Sequence, residues 1–390
     1  MRLNSIYQRL GSYFAVQKSD FRVRRSMKNG ETMLSYAPSS LNLLMIDKCN
    51  SGCIMCGHDY KSCGTADALT LEKMKRIYGH LDMTQLVEVI YGGGGEPFLN
   101  PDLVDIAEYT RRKCPCIQHT VISNMIAPCE RSRLQRLLDA RVHFLVSVNA
   151  ASRESFTTVA GVDAFDVVRE NIHNLVQLRS ESGAGVNISI SLILMQQNVN
   201  DLDSFVQLAH ELGVDGVKIV YVRIYPELYR QKGDGTVQIL PEDSMFFDQQ
   251  RCDQAILQAE KLAGRLGVGF EHQPLFQCSK KTGRYCMEPW RALYIGFNGE
   301  LYPCAASEIM FMHKVGSGQY KSGNILQNHY QEIWNNPFWQ ALRKTNAQKN
   351  RQEIIPECLC CGSSIDWNGV AEESSHIMNW MQAEQSDLSI

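Results

Sequence analysis

The sequence predicts an α/β chain built on an open, partial (β/α)6 barrel. Three observations carry this. Short apolar runs alternate with stretches of helical periodicity six times between residues 41 and 224, which implies a parallel sheet with right-handed crossovers. Six such units fall short of the eight that close a barrel. The Cys-rich and Gly-rich stretches follow directly on apolar runs, at the carboxyl ends of strands, where ligands of such sheets bind.

Residues 1–40 read as an accessory segment. Leu3, Ile6, Tyr7 and Leu10 share one helical face. The basic stretch Phe21 to Met27 reads as solvated. A helix packed against the barrel is the plain reading, and a substrate lid is the alternative. The segment is too short for a cobalamin domain or a winged-helix peptide-binding domain. The barrel is assigned to residues 41–240. Its strands are expected at Leu41–Asp47, Val87–Gly92, Ile117–Ser123, His143–Asn149, Asn187–Met195 and Val217–Ile224. Helices are expected near 70–81, 101–113, 130–139, 165–180 and 201–213. The stripe Phe165, Val168, Ile172, Leu175 and Val176 marks one of them, and Leu202 to Leu212, stopped by Gly213, another. Pro226 breaks the sixth strand. Residues 241–275 then bridge, with a long helix from Met245 to Leu266, a stop at Gly267 and an edge strand through His272. Residues 276–366 form a compact second module, with a β-hairpin turning at Asn298-Gly299 through a type I′ turn and a helix around Ile333 to Leu342. Residues 367–390 are a tail.

Composition narrows the classes. A chain of 390 residues is expected to hold two domains. A net charge of -3 with dispersed signs gives no sign of a nucleic-acid partner, and no apolar run is long enough to span a bilayer. The charged N-terminus does not read as a secretory signal. The 14 Cys fall mostly within 49–63 and 278–361. Clustered Cys in a large chain point to metal binding in a reducing cytoplasm more than to disulfides.

Two Cys groups carry chemistry. Cys49, Cys53 and Cys56 follow the first strand. Three thiolates at this spacing can hold three irons of a cuboidal iron–sulfur cluster and leave the fourth open to a small molecule. A zinc site completed by a distant ligand is the rival, since thiolates suit both metals. After the second strand comes Gly92-Gly-Gly-Gly-Glu96-Pro97. No Gly-Lys-Ser/Thr follows, which excludes a Walker loop, and the carboxylate would repel phosphate but could accept from an ammonium group. In the second group the hairpin would bring Cys286 and Cys304 together, and Cys358 and Cys361 form a CxxC pair. Four thiolates make either an iron–sulfur cluster or a structural zinc.

The C-x3-C-x2-C triplet, followed one strand later by Gly94-Gly95-Glu96-Pro97, resembles the radical S-adenosylmethionine (SAM) superfamily, whose fold is a TIM-like partial barrel. Met55 stands where many members have an aromatic residue. The resemblance implies that the triplet holds a SAM-binding [4Fe–4S] cluster and that Gly94, Gly95 and Glu96 take the methionine amine. Ser123-Asn124 and Ser147-Val-Asn149 are similar to strand-end motifs of the family and are implied as ribose or carboxylate contacts, with ordinary turn chemistry as their other reading. Asn198 fits the same pattern. Ala160-Gly161 stands where relatives often have Arg-Gly, which puts one carboxylate contact in doubt. Cys286-x2-Pro-Trp290, Gly299-x4-Cys304 and Cys358-x2-Cys361 resemble the SPASM/twitch extension, which implies an auxiliary [4Fe–4S] cluster. With no Cys after 361, the one-cluster twitch form fits. Cys360 or Cys278 could replace a ligand, while Cys63, Cys114, Cys116, Cys129 and Cys252 read as structural.

By that resemblance the chain cleaves SAM to a 5′-deoxyadenosyl radical and abstracts hydrogen from substrate, with a flavodoxin- or ferredoxin-type electron donor. The Cys spacing is similar to that of twitch-type aminocyclitol dehydrogenases. This favours a dehydrogenase-like oxidation or rearrangement of a small hydroxylated substrate such as a sugar or cyclitol. The alternatives are a maturase acting on a ribosomal peptide and a non-enzymatic iron–sulfur or zinc scaffold. Arg223, Tyr225 and Glu227 are candidates for the proton-accepting group.

Overall fold

The protein is described by a computed structural model over residues 2–56, 65–222, 241–278, 286–304 and 315–350, with residues 352, 354, 355 and 358. Among these residues nine strands form one open sheet in the order β7-β6-β5-β4-β3-β2-β1-β8-β9. The first six are β1 (Ser40–Leu43), β2 (Glu88–Tyr91), β3 (Gln118–Ser123), β4 (His143–Ser147), β5 (Ile188–Leu194) and β6 (Gly216–Tyr221). Each pairs in parallel with the next, as the alternating pattern predicts. The bridging strand β7 (Gly269–His272) adds in parallel at the β6 edge.

Alternation along the strands separates two faces. In β4, Phe144 and Val146 are buried while His143, Leu145 and Ser147 are half-buried. The buried face meets the helices. These are α2 (Leu71–Gly79), α3 (Leu103–Lys113), α4 (Arg131–Asp139), α5 (Arg153–Ala160), α6 (Phe165–Ser182), α7 (Leu202–Leu212) and α8 (Gln249–Leu266). The stripe expected on α6 is buried at Phe165, Val168, Ile172 and Leu175, and Val176 lies at its rim. The other face lines a hollow. At the amino ends of the strands it opens into a cavity of about 440 Å3, bordered by Glu88, Thr120, His143, Ser189, Lys218 and Glu271.

The N-terminal segment is one long helix, α1 (Arg2–Asn29). The stretch from Phe21 to Met27 is not simply solvated. Val23, Ser26 and Met27 are buried, and Arg22 donates to Gln85 Oε1 at 2.5 Å while lying over the Tyr36 ring. Helical periodicity sends one side of a basic stretch inward while its Arg head groups stay at the rim. The plain reading of a helix packed on the body is the one the contacts support.

The second module is continuous with the barrel sheet. Strand β8 (Ala292–Ile295) pairs in parallel with β1, Leu41 opposite Leu293 and Leu43 opposite Ile295. It then turns back antiparallel into β9 (Leu301–Tyr302). The hairpin is present, but its turn is not type I′. Gly299 has φ +84°, Asn298 has no positive φ, and Gly299 N donates to Gly296 O at 2.8 Å. This is a three-residue loop ending on a left-handed glycine. The helix expected over 333–342 is two: α10 (Tyr330–Trp334) and α11 (Pro337–Asn346), following the short α9 (Glu288–Arg291). Pro337 starts α11, with Asn336 accepting from Trp339 N as its cap. Arg343 of α11 is fully buried. It donates to the carbonyls of Pro289 and Thr32, both at 2.8 Å, and to Asn335 Oδ1 at 3.1 Å. One side chain thus ties α9, α10 and the segment after α1 together. Burial, with no acid partner among its bonds, pulls its pKa down to about 9.

No described helix is long and apolar enough to cross a membrane.

Candidate active site

The triplet loop leaves β1 at the carboxyl edge of the sheet and is held by backbone from two directions. On one side, Glu96 N donates to Lys48 O at 2.8 Å. On the other, Gly52 N donates to Ala160 O and Ile54 N to Val159 O, both at 3.0 Å. The carboxyl end of α5 therefore clamps the loop between Cys49 and Cys56. Sequence reasoning gave no helix at 153–160, although Ser152 and Ser155 form a reciprocal cap there. Gly161 ends that helix at φ +64°, and a Cβ on it would stand 2.5 Å from Gly52 O. The Ala160-Gly161 stretch, doubtful as a SAM contact, is thus a support for the Cys loop.

The Gly-rich loop is equally constrained. Gly95 has φ +63°, and a Cβ there would lie 2.1 Å from Ile46 O and 2.5 Å from Lys48 O. Only glycine lets the loop close on the Cys loop at this point. Gly93, at φ +108°, faces open space.

Glu96 sits at the junction and is 2 % exposed. Oε1 accepts from Phe98 N at 2.9 Å and Ser123 Oγ at 2.7 Å, and Oε2 accepts from Asn124 N at 2.8 Å. Burial pushes its pKa up, while these three bonds work the other way. Three of about four acceptor positions on a carboxylate are used, which leaves one on Oε2. Asn124 links Glu96 to the triplet. Its amide donates to Asn50 Oδ1 at 2.8 Å and reaches Cys49 Sγ at 3.6 Å. Burial raises the Cys49 thiol to about 11 and the Cys53 thiol above its ordinary value, with the nearby Glu96 carboxylate adding to both. Among the described residues no three His, Cys, Asp or Glu side chains converge closely enough to hold a single metal ion.

The structure brings together Cys49, Cys53, Glu96, Ser123 and Asn124. Asn149 is placed at the next strand end, but its side chain is otherwise engaged. Its Oδ1 accepts from Ile193 N at 2.8 Å, and its own carbonyl accepts from Asn198 Nδ2 at 3.0 Å. Asn198 is wholly buried and also bonds Met195 N and Ile193 O. Both do strand-end turn chemistry here. Ser147 faces the hollow at the end of β4, opposite Ser191. Arg223, Tyr225 and Glu227 lie outside the described residues.

In the second module, Cys286 precedes α9 and Cys304 follows β9. Cys304 and Cys358 both pack on the core. Cys304 lies near Tyr294, whose hydroxyl donates to Glu288 Oε2 at 2.9 Å. Burial first, then Glu288 and Cys304, pushes Tyr294 well above its ordinary value. Cys63, Cys360 and Cys361 lie outside the described residues. Among the cysteines read as structural, Cys252 is wholly buried and Cys129 stands close enough to Glu96 for the carboxylate to help raise its thiol to about 12.

Three residues that matter to this site were not singled out from sequence. Ser51 bridges Cys53 and Ala160. Asn100, wholly buried, donates to Met45 O and Leu69 O and so braces the start of the Cys loop. Asn171 holds the Met125 and Ala127 carbonyls. Ser51 had a signal in its place between two Cys. Asn100 and Asn171 had none, since their partners are distant in sequence.

Comparison with known proteins agrees with this geometry. Residues 43–212 match the family described as the radical SAM superfamily, and residues 286–362 match SPASM, an iron–sulfur cluster-binding domain. The PqqA peptide cyclase of Gluconobacter oxydans is 22 % identical over 344 residues, covering 85 % of each chain. The mycofactocin maturase MftC of Mycobacterium tuberculosis is 28 % identical over 319 residues, 80 % of this chain and 74 % of that one. Among solved structures, Streptococcus suis SuiB bound to S-adenosylmethionine superposes with a TM-score of 0.63 at 16 % identity, over 91 % of this chain and 76 % of that one.

The donor chemistry fits the cofactors these domains imply: the thiols of Cys49 and Cys53 stand near the Glu96 carboxylate, and those of Cys304 and Cys358 are set against the core of the second module. With its Cys loop and Gly-Gly-Glu loop locked together at the strand ends and a cysteine-bearing hairpin added to the same sheet, the chain belongs to the radical SAM superfamily, carries a SPASM extension, and is an enzyme that uses S-adenosylmethionine and iron–sulfur clusters.

Proposed function

We propose that this enzyme is a maturase that modifies a peptide substrate by hydrogen abstraction, with Cys49, Cys53 and Cys56 holding the SAM-binding [4Fe–4S] cluster. The observation that carries the site assignment is the junction of the two loops, where Asn124 touches both the Cys49 thiol and the Glu96 carboxylate. The substrate class rests on the relatives. A peptide cyclase and a maturase match along most of this chain, and they replace a small sugar or cyclitol as the favoured substrate. A dehydrogenase-like outcome gives way with it.

The cluster and SAM supply, when bound, the radical that removes hydrogen from an unactivated carbon. The chain's own residues prepare the site. Glu96 offers its remaining Oε2 acceptor position to the methionine ammonium, and Ser123 and the Asn124 backbone hold that carboxylate in place. Gly93 leaves the approach open. Ser147 stands on the hollow face where substrate meets the carboxyl ends of the strands. Cys286, Cys304, Cys358 and Cys361 hold an auxiliary cluster, and Tyr294, bonded to Glu288, stands near Cys304.

The test is to incubate anaerobically reconstituted, reduced enzyme with SAM and candidate substrates and to measure 5′-deoxyadenosine release together with product mass. Candidate peptides are expected to stimulate release and to lose hydrogen. Stimulation by a small polyol and by none of the peptides would overturn the substrate class. Unchanged SAM cleavage by a Cys49→Ala, Cys53→Ala, Cys56→Ala triple variant would overturn the site.

A further inference from the structure

We infer that Ser51 is a positioning residue that, once Cys53 is a cluster ligand, turns its hydroxyl proton from the Ala160 carbonyl at the end of α5 to the Cys53 sulfur. The inference rests on the proposed assignment of Cys53 as a cluster ligand. Ser51 Oγ stands 3.0 Å from Cys53 Sγ and 2.9 Å from Ala160 O. Ser51 is 6 % exposed, so water does not compete freely for its proton. The hydroxyl has one proton to give. With a free thiol at Cys53, the sulfur can donate and the hydroxyl can serve the Ala160 carbonyl. A metal-bound sulfur has no proton and can only accept. The hydroxyl proton then turns to the sulfur, and the Ala160 carbonyl keeps the Gly52 N–H at 3.0 Å. The switch therefore leaves no buried group without a partner, which is the condition for it to be favourable.

The consequence is electronic as well as mechanical. Hydrogen bonds to cluster sulfurs are among the features that set reduction potential, and groups behind the ligands orient and tune them. Cys49 has its own outer donor in the Asn124 amide at 3.6 Å. Of the two, Ser51 belongs to the Cys loop itself and is the closer.

The experiment compares wild type, Ser51→Ala and Ser51→Thr as full chains, reconstituted with iron and sulfide. Cluster content is measured by iron analysis and absorbance, and the SAM-site potential by redox titration followed by electron paramagnetic resonance, in a Cys286→Ala, Cys304→Ala background that lacks the auxiliary cluster. S51A is expected to hold the cluster at a potential shifted negative of wild type, and S51T to restore the wild-type value. If S51A loads poorly, S51T must recover both content and potential. An S51A potential equal to wild type, or an S51T variant that fails to recover what S51A loses, would overturn the inference. No cluster in the S51-intact background protein would instead sink the ligand assignment on which it rests.

Discussion

Glu96 and His119 show how single buried groups behave in this sheet. Glu96→Gln keeps the shape of the side chain but brings an NH2 either against the Phe98 N–H and the Ser123 hydroxyl, which share Oε1, or against the Asn124 N–H on Oε2. It also removes the charge offered to the ammonium. A charged hydrogen bond is worth roughly 1.5–3 kcal/mol, so SAM affinity is expected to fall by about 10- to 100-fold, read by equilibrium binding to the reconstituted protein. His119 is buried on β3. It takes part in a bond with the Tyr91 hydroxyl at 3.0 Å and another with Ala140 O at 2.8 Å. Burial lowers its pKa to about 3. The folded state therefore binds fewer protons at His119 than the unfolded chain, whose His titrates near 6.5. This contribution is complete above about pH 6.5 and is lost progressively as pH falls towards 3. Urea unfolding of the metal-free protein is expected to show stability declining over that window. His119→Gln should flatten the decline, and an unchanged slope would show that other groups cause it.

The contact between α5 and the Cys loop can be tested at the level of elements. Gly161 and Gly183 end successive helices at φ +64°, but only Gly161 has a neighbour in the way of a Cβ. Gly183→Ala is expected to lose only the roughly 1–2 kcal/mol of a left-handed alanine. Gly161→Ala adds an overlap with Gly52 O, displaces the Cys loop and should selectively reduce loading of the SAM-site cluster. Equal loading in both variants would mean that the clamp does not govern the loop. Arg343 offers a second test at this scale. Arg343→Met strips hydrogen bonds from acceptors on three segments, of which the Pro289 carbonyl is buried and the other two are part-buried. A loss of at least roughly 2 kcal/mol is expected, with faster proteolysis near Thr32. Arg343→Lys should recover little, because an ammonium cannot span the guanidinium's fork.

For the molecule as a whole, β1 is the shared element. It pairs with β2 on one side and β8 on the other, so one strand carries both the barrel edge and the hairpin of the second module. Leu41 and Leu43 are wholly buried in it. The barrel and the hairpin are therefore expected to unfold together, as a single calorimetric transition. Leu41→Ala, at a typical loss of about 2–5 kcal/mol, should lower iron loading at both sites. Two separable transitions would show that the β1–β8 pairing is not the cooperative joint.

The sequence alone determined the six strand–helix units, because periodicity of apolar residues is a local property set by which face must be buried. It also determined the Cys triplet and the Gly-Gly-Glu loop, since adjacent residues make their chemistry. It misplaced the solvation of Phe21 to Met27 and the turn at Asn298-Gly299, where packing and strand pairing prevailed over local preference. It favoured a small polyol because spacing records ligands and not substrates. What only the tertiary structure decided are the contacts between residues far apart in the chain: α5 clamping the Cys loop, Asn124 joining Cys49 to Glu96, Asn149 given over to Ile193, and β8 annealing to β1. Such contacts depend on how the crossovers stack, and no stretch of the chain encodes them by itself.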